Sequence, residues 1–294
     1  MLSDFAVVIC HGYFHTPAPY QPLIDAFSSQ GIDAYCPQLA TSDLFKLNVG
    51  DVEHPNFDLG PPTDGYPSGD EDAKIVLEVI RPLIEKQAKK ILLVAHSAGG
   101  WAATQAAIPE LQAKTRSSQG LQGGIIGIFY YGAFIIPVGE SINSFFQPKD
   151  ALPLMPPWMQ YHVSLPALDL LTLPLTEPIS QAHGPDGLGT LILPEKFMFN
   201  DLDHEEAEKW AKTLTASPNG TTKLTNDAYA ALPCAYLVLE GDQTLAKEYQ
   251  EGMIALQAGK TGEFKIYRCP TGHSAHLSWT DGIVGVAQDF VGGL

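Results

Sequence analysis

A chain of 294 residues with 17 Lys+Arg against 33 Asp+Glu carries a formal charge of −16 at pH 7, which argues against phosphate backbones and anionic membrane surfaces as partners. A hydrophobic content of 45% with 17% charged residues argues against disorder, and the length suits one large α/β domain or two smaller ones. The opening MLSDFAVVIC lacks the basic region and long apolar segment of a secretory signal, and no apolar stretch reaches the roughly 18 residues that span a bilayer, so a soluble, cytoplasmic protein is expected.

In chain order, short apolar runs alternate with helical patterns. FAVVIC (5–10) reads as a buried strand, and PAPYQPLIDAFSSQG as a helix with Leu23, Ile24 and Phe27 on its apolar face, stopped by Gly31. IDAYCP is a second strand; residues 41–69, rich in Gly, Pro, Asp and Asn, read as a long surface loop. DEDAKIVLEVIRPLIEKQAKK (70–90) has acids first and lysines last, as the helix dipole favours. ILLVAH is a strand, AGGWAATQAAI a helix and GGIIGIFYYGAF a strand buried on both faces.

Between Ile135 and about Ser217 no clean strand is predicted, and ten of the 23 prolines fall between Pro137 and Pro194, which suits short helices and loops. In DLDHEEAEKWAKTL, Asp201 is the expected helix cap. The alternation resumes with CAYLVLEG, AKEYQEGMIALQAG, EFKIYRC and SWTDGIVGVAQDFVG as strand, helix, strand and helix. This order predicts an α/β fold: a mostly parallel central sheet flanked by helices, from residues 1–134 and 218–294, with a helical cap (135–217) inserted after the fourth core strand. Cys10, Cys36, Cys234 and Cys269 lack C-x-x-C spacing and are expected to be reduced.

The stretch ILLVAHSAGGWAA (91–103) carries the chemistry. A serine flanked by small residues at two before and two after, here Ala95 and Gly99, fits a tight strand-to-helix turn that lifts a nucleophilic hydroxyl off the sheet edge; the plainer alternative is that Ser97 caps a helix. A nucleophilic serine needs a base and an orienting acid from loops at the same edge. Asp242 leaves the strand AYLVLEG and His273 follows the last strand, with Glu240 and His276 as nearby competitors. The backbone N–H groups of Ala98 and Tyr13 are the expected oxyanion donors, with His11 bracing the loop after the first strand and Gly12 letting it turn. His11 and His15 have no third ligand at suitable spacing, so neither a metal nor any other cofactor is expected.

These motifs resemble those of α/β-hydrolases, and the chain is similar to the branch that includes bacterial EstC-type esterases, plant methylesterases and hydroxynitrile lyases. The resemblance lies in VVICHGYFHTPAPYQPLIDAFSSQGIDAYCPQL, VAHSAGG, FMFNDLDHEEAEKWAKTL, AYLVLEGDQTL with YQEGM, and TGHSAHLSWTDGIVGVAQDFV, leaving out insertions at about 41–69 and 137–195. It implies the α/β-hydrolase fold and a catalytic serine, acid and histidine at Ser97, Asp242 and His273. The lyases' lysine after the histidine is Ser274 here and their first-strand threonine aligns with Val8, which speaks against cyanogenic lyase chemistry. The expected function is a serine esterase acting on a neutral, apolar small-molecule ester, thioester or lactone. The alternatives are a lyase, acyl-transfer, cyclisation or rearrangement reaction on a natural-product intermediate in the same pocket, and a ligand receptor with a vestigial triad.

Overall fold

Six strands pair into one parallel sheet. The structure is a computed structural model that describes residues 5–147, 156–162, 187–262 and 264–294. Strand β1 (Phe5–Cys10) leads into helix α1 (Gln21–Ser29), which ends at Gly31 (φ 73°), and β2 (Ala34–Tyr35) is only two residues long. Helix α2 (Gly69–Glu85) is started by the Ser68/Glu71 capping box. It stops short of the predicted residue 90: Ala88 turns left-handed at φ 54°, and Lys89 pairs with Asp33 at 2.8 Å. Then come β3 (Lys90–His96), α3 (Gly99–Ala106), α4 (Ala113–Ser118) and β4 (Gly124–Tyr131).

After β4 the chain forms α5 (Ile142–Phe146), β5 (Met159–His162), β6 (Leu188–Leu191), α6 (Pro194–Phe197), α7 (His204–Ala211) and β7 (Ser217–Pro218). It returns through β8 (Cys234–Leu239), α8 (Lys247–Thr261), β9 (Lys265–Cys269), α9 (Ala275–Ser278) and α10 (Thr280–Gly292). The sheet order is β2-β1-β3-β4-β8-β9, with every pair parallel.

Side chains alternate across this sheet with the strand period of two. Ala6, Val8, Leu93, Tyr130 and Tyr236 meet α2, α3 and α8 on one face; Val7, Ile9, Leu92, Phe129 and Leu237 meet α1 and α10 on the other. Two buried faces explain why the strands read as continuous apolar runs. Because all six strands run the same way, the residues leaving β1, β3, β8 and β9 emerge at one edge.

Two expectations are corrected. The segment after β4 contains a three-stranded antiparallel sheet, β5-β6-β7, where no strand was predicted. Its strands have four, four and two residues, too few for an alternating pattern to develop. Of the Leu- and Pro-rich stretch 151–175, only 156–162 lie within the described residues. The loop 41–69 is not merely surface: Leu47 and Val49 are buried against Leu188 and Ala216, and Thr41 is bonded through both its N–H and its hydroxyl to buried Asp72. All four cysteines are free thiols. Among the described residues no helix is long and apolar enough to cross a membrane.

Candidate active site

The turn between β3 and α3 is set by the size of its neighbours. Ser97 has φ 51°, a left-handed backbone that costs a non-glycine residue about 1–3 kcal/mol and must be held by its surroundings. The holding is steric closeness: a Cβ on Gly99 would overlap the Cys10 carbonyl oxygen and lie 2.6 Å from that of His11, and a Cβ on Gly12 would lie 2.8 Å from Ser97 Cβ. Phe134 N–H donates to the Ser97 carbonyl at 2.9 Å and pins the turn to the β4 exit. Ser97 is not a helix cap, because Ala98 occupies the N-cap of α3 and no side chain accepts there.

At the β9 exit His273 Nδ1–H donates to Asp242 Oδ2 at 2.7 Å, and both side chains are wholly buried. A carboxylate out of water needs its remaining lone pairs filled. Asp242 Oδ1 accepts the N–H groups of Thr244 and Leu245, each at 2.8 Å, and Gln250 Nε2 lies 3.3 Å from Oδ2. The competitors take other places: Glu240 is exposed beside Arg268 at 3.7 Å, and His276 stacks on Tyr20 with ring centres 4.2 Å apart. His273 Nε2 and Ser97 Oγ make no hydrogen bond among the described residues.

Hydrogen bonds from two histidines hold the loop after β1. His11 Nδ1–H donates to the Gly12 carbonyl at 2.9 Å, and Nε2 accepts the Leu39 N–H at 2.9 Å, so both ring nitrogens are engaged within the protein. His15 Nδ1–H donates to the Tyr13 carbonyl at 2.8 Å. Tyr13 and Ala98 line one cavity with Ser97, and neither of their backbone N–H groups has a hydrogen-bond partner among the described residues. The cavity holds about 500 Å³, within the ~300–1,000 Å³ typical of small-molecule pockets. Phe134, Phe146, Trp158, Met159, Met198 and Leu245 dominate its wall, and among the described residues no lining side chain is charged.

Several contacts were not legible in sequence. Asp201 does not cap α7: Asp203 does, accepting the Glu206 N–H at 2.9 Å. Asp201 Oδ2 instead accepts the Gly272 N–H at 2.7 Å and the Ser278 hydroxyl at 2.6 Å, while Asn200 Nδ2 donates to the Gly241 carbonyl at 3.0 Å. The short connection before α7 thus grips both loops that carry Asp242 and His273. Tyr20 and His96 form a second such device, with partners 76 and 177 residues apart that no local pattern signals.

Burial holds the histidines around the site neutral. It lowers His11 from the ordinary 6.5 to about 4 and His15 to about 3, and with neighbouring histidines it drives His96 and His276 well below the ordinary value. Below pH 6.5 the unfolded chain takes up protons that the folded chain refuses, so stability is lost as pH falls from 6.5 through 4. At ~1.4 kcal/mol per tenfold change in proton affinity, His11 alone accounts for on the order of 3 kcal/mol. Asp72 acts oppositely, since burial raises its carboxyl from 3.8 to about 6, but one carboxyl offsets roughly one histidine of four. The urea unfolding midpoint is therefore expected to fall steadily from pH 7 to 4.5; a midpoint that rises would contradict this account.

The comparisons agree with this architecture. The Alpha/beta hydrolase family matches residues 7–286. The chain is 23% identical over 296 residues to the alpha/beta hydrolase nvfD of Aspergillus novofumigatus (strain IBT 16806), covering 98% of this chain and 96% of that protein. Among solved structures it is similar to polyneuridine aldehyde esterase (TM-score 0.65, 16% identity, 98% and 100% of the chains). It is also similar to the methylesterase MES16 from Arabidopsis (0.61, 16%, 99% and 100%) and the pyrethroid hydrolase PytH (0.62, 15%, 97% and 97%). With a match that spans all six strands of the sheet and the edge where Ser97, Asp242 and His273 emerge, the chain belongs to the alpha/beta hydrolase family.

Proposed function

We propose that this protein is a serine hydrolase that cleaves a neutral, apolar small-molecule ester, thioester or lactone. The carrying observation is the wholly buried His273–Asp242 pair at the sheet edge where Ser97 is held on its sharp turn, facing a cavity with no charged side chain among its described lining residues. Ser97 Oγ attacks the carbonyl carbon and gives its proton to His273 Nε2, while Asp242 stabilises the imidazolium. The Tyr13 and Ala98 N–H groups hold the oxyanion, each such donor being worth about 10²–10³ in rate. Collapse of the tetrahedral intermediate expels the alcohol or thiol with the proton from His273, and water then hydrolyses the acyl-enzyme. The absence of charge among the described lining residues supports a neutral substrate, because none of them supplies a counter-ion to a desolvated anion. The names of the structural neighbours, an esterase and a methylesterase among them, point to the same bond class.

The test is hydrolysis of short-chain and aryl esters in ¹⁸O-enriched water. One solvent oxygen is expected in the released acid. A product formed at Ser97 without solvent oxygen would replace hydrolysis by transfer or cyclisation, and a protein inert to both esters and a fluorophosphonate would leave a binding role.

A further inference from the structure

We infer that Tyr20 and His96 are positioning residues, which lock the oxyanion loop and the backbone of His273 to one another through a single directed chain of hydrogen bonds. The inference rests on the roles proposed above for Ser97 and His273. The Gly12 N–H donates to Tyr20 Oη at 3.1 Å, the Tyr20 hydroxyl donates to His96 Nδ1 at 2.7 Å, and His96 Nε2–H donates to the His273 carbonyl at 3.0 Å. The direction is forced at both ends, because an amide N–H only donates and a carbonyl only accepts. With His96 neutral, the hydroxyl and the imidazole each accept from one side and donate to the other. That puts the His96 proton on Nε2, and burial among His15, His273 and His276 favours the neutral form.

Each end of the chain adjoins a reacting group. Gly12 precedes Tyr13, the proposed oxyanion donor; His96 precedes Ser97 on the elbow; and the accepting carbonyl belongs to His273. Tyr20 and His96 are both wholly buried, so water does not replace a lost partner cheaply. Removing the Tyr20 hydroxyl leaves the Gly12 N–H without an acceptor and frees His96 to change tautomer. The oxyanion loop and His273 then lose their common reference, and transition-state groups act only when held within a few tenths of an ångström. The effect should fall on the chemical step, with binding in the cavity spared.

The experiment follows phosphonylation of Ser97 by an alkyl fluorophosphonate. The Oγ–P bond forms, the P–F bond breaks, fluoride leaves, and His273 takes the hydroxyl proton. Tyr20→Phe keeps the ring that stacks on His276. It is expected to lower the maximal labelling rate at least tenfold, with the half-saturating probe concentration changed less than threefold. In a second pair, His96→Gln retains an acceptor and a donor at imidazole-like spacing and should label at least fivefold faster than His96→Leu. A Tyr20→Phe protein labelling at the wild-type rate overturns the inference, as do equal rates in the His96 pair, which decides the matter if Tyr20→Phe does not fold. Wild-type protein that is not labelled at Ser97 identifies failure of the underlying hydrolase reading instead.

Discussion

Ser97→Ala is expected to lower kcat by about 10⁴- to 10⁶-fold on any ester that the wild type hydrolyses, with KM little changed. The proposed nucleophile forms the bond that divides one difficult displacement into two easier ones, and the serine and threonine hydroxyls that line the cavity with it among the described residues are held by other partners. Ser217 Oγ accepts the Phe14 N–H at 2.9 Å, and the Thr244 hydroxyl donates to the Phe197 carbonyl at 2.9 Å. The rest of the cavity wall is untouched by the change, so ground-state binding should persist, and titration with a competitive ligand should return a near-wild-type Kd. His273→Ala should cost about as much, and the double variant scarcely more than either alone, because the groups act as a unit. Retained turnover in Ser97→Ala would place the chemistry elsewhere.

Gly99→Ala is expected to destabilise the fold by about 3–5 kcal/mol, a fifth or more of the ~5–15 kcal/mol available to a typical domain. The added methyl would overlap the Cys10 carbonyl, with the His11 carbonyl at 2.6 Å. Both are backbone atoms, at the end of a strand paired along its length with β3 and leading into the oxyanion loop, so no flexible side chain can yield. Relief must come from separating α3 from β1, which also displaces Ser97. Gly259→Ala is the internal comparison: it lies in α8 with nothing within 4 Å of its new methyl, and should stabilise by about 0.5–1 kcal/mol through helix propensity. Urea unfolding of the two variants separates steric exclusion from propensity; equal effects would remove the steric account of the turn.

Much of the architecture was legible because its signals are local. The parallel sheet announces itself through runs such as ILLVAH and GIIGIFYY, apolar on both faces because helices cover both. Helix α2 was visible from its acidic first turn, and the small residues around Ser97 from the closeness that the turn demands. The small antiparallel sheet was not legible, since its strands are held by pairing with partners distant in the chain and not by their own patterns. Asp201 was misread for the same reason: any aspartate near a helix start resembles a cap, and only the folded chain shows that Asp203 caps while Asp201 holds Gly272.

By itself the sequence determined the order of the core strands and helices and the edge of the sheet at which serine, acid and histidine emerge. The tertiary structure decided which carboxylate meets the histidine, since Asp242 and Glu240 are two residues apart and only the turn after β8 points one inward and the other to Arg268. It also decided that Tyr20 and His96 join Gly12 to His273, and that the described residues of the cavity wall are uncharged. The physical reason is range. Propensity, capping and packing period act within a few residues and are written in the order of the chain, whereas buried hydrogen bonds are satisfied by whichever donors and acceptors the fold brings within about 3 Å.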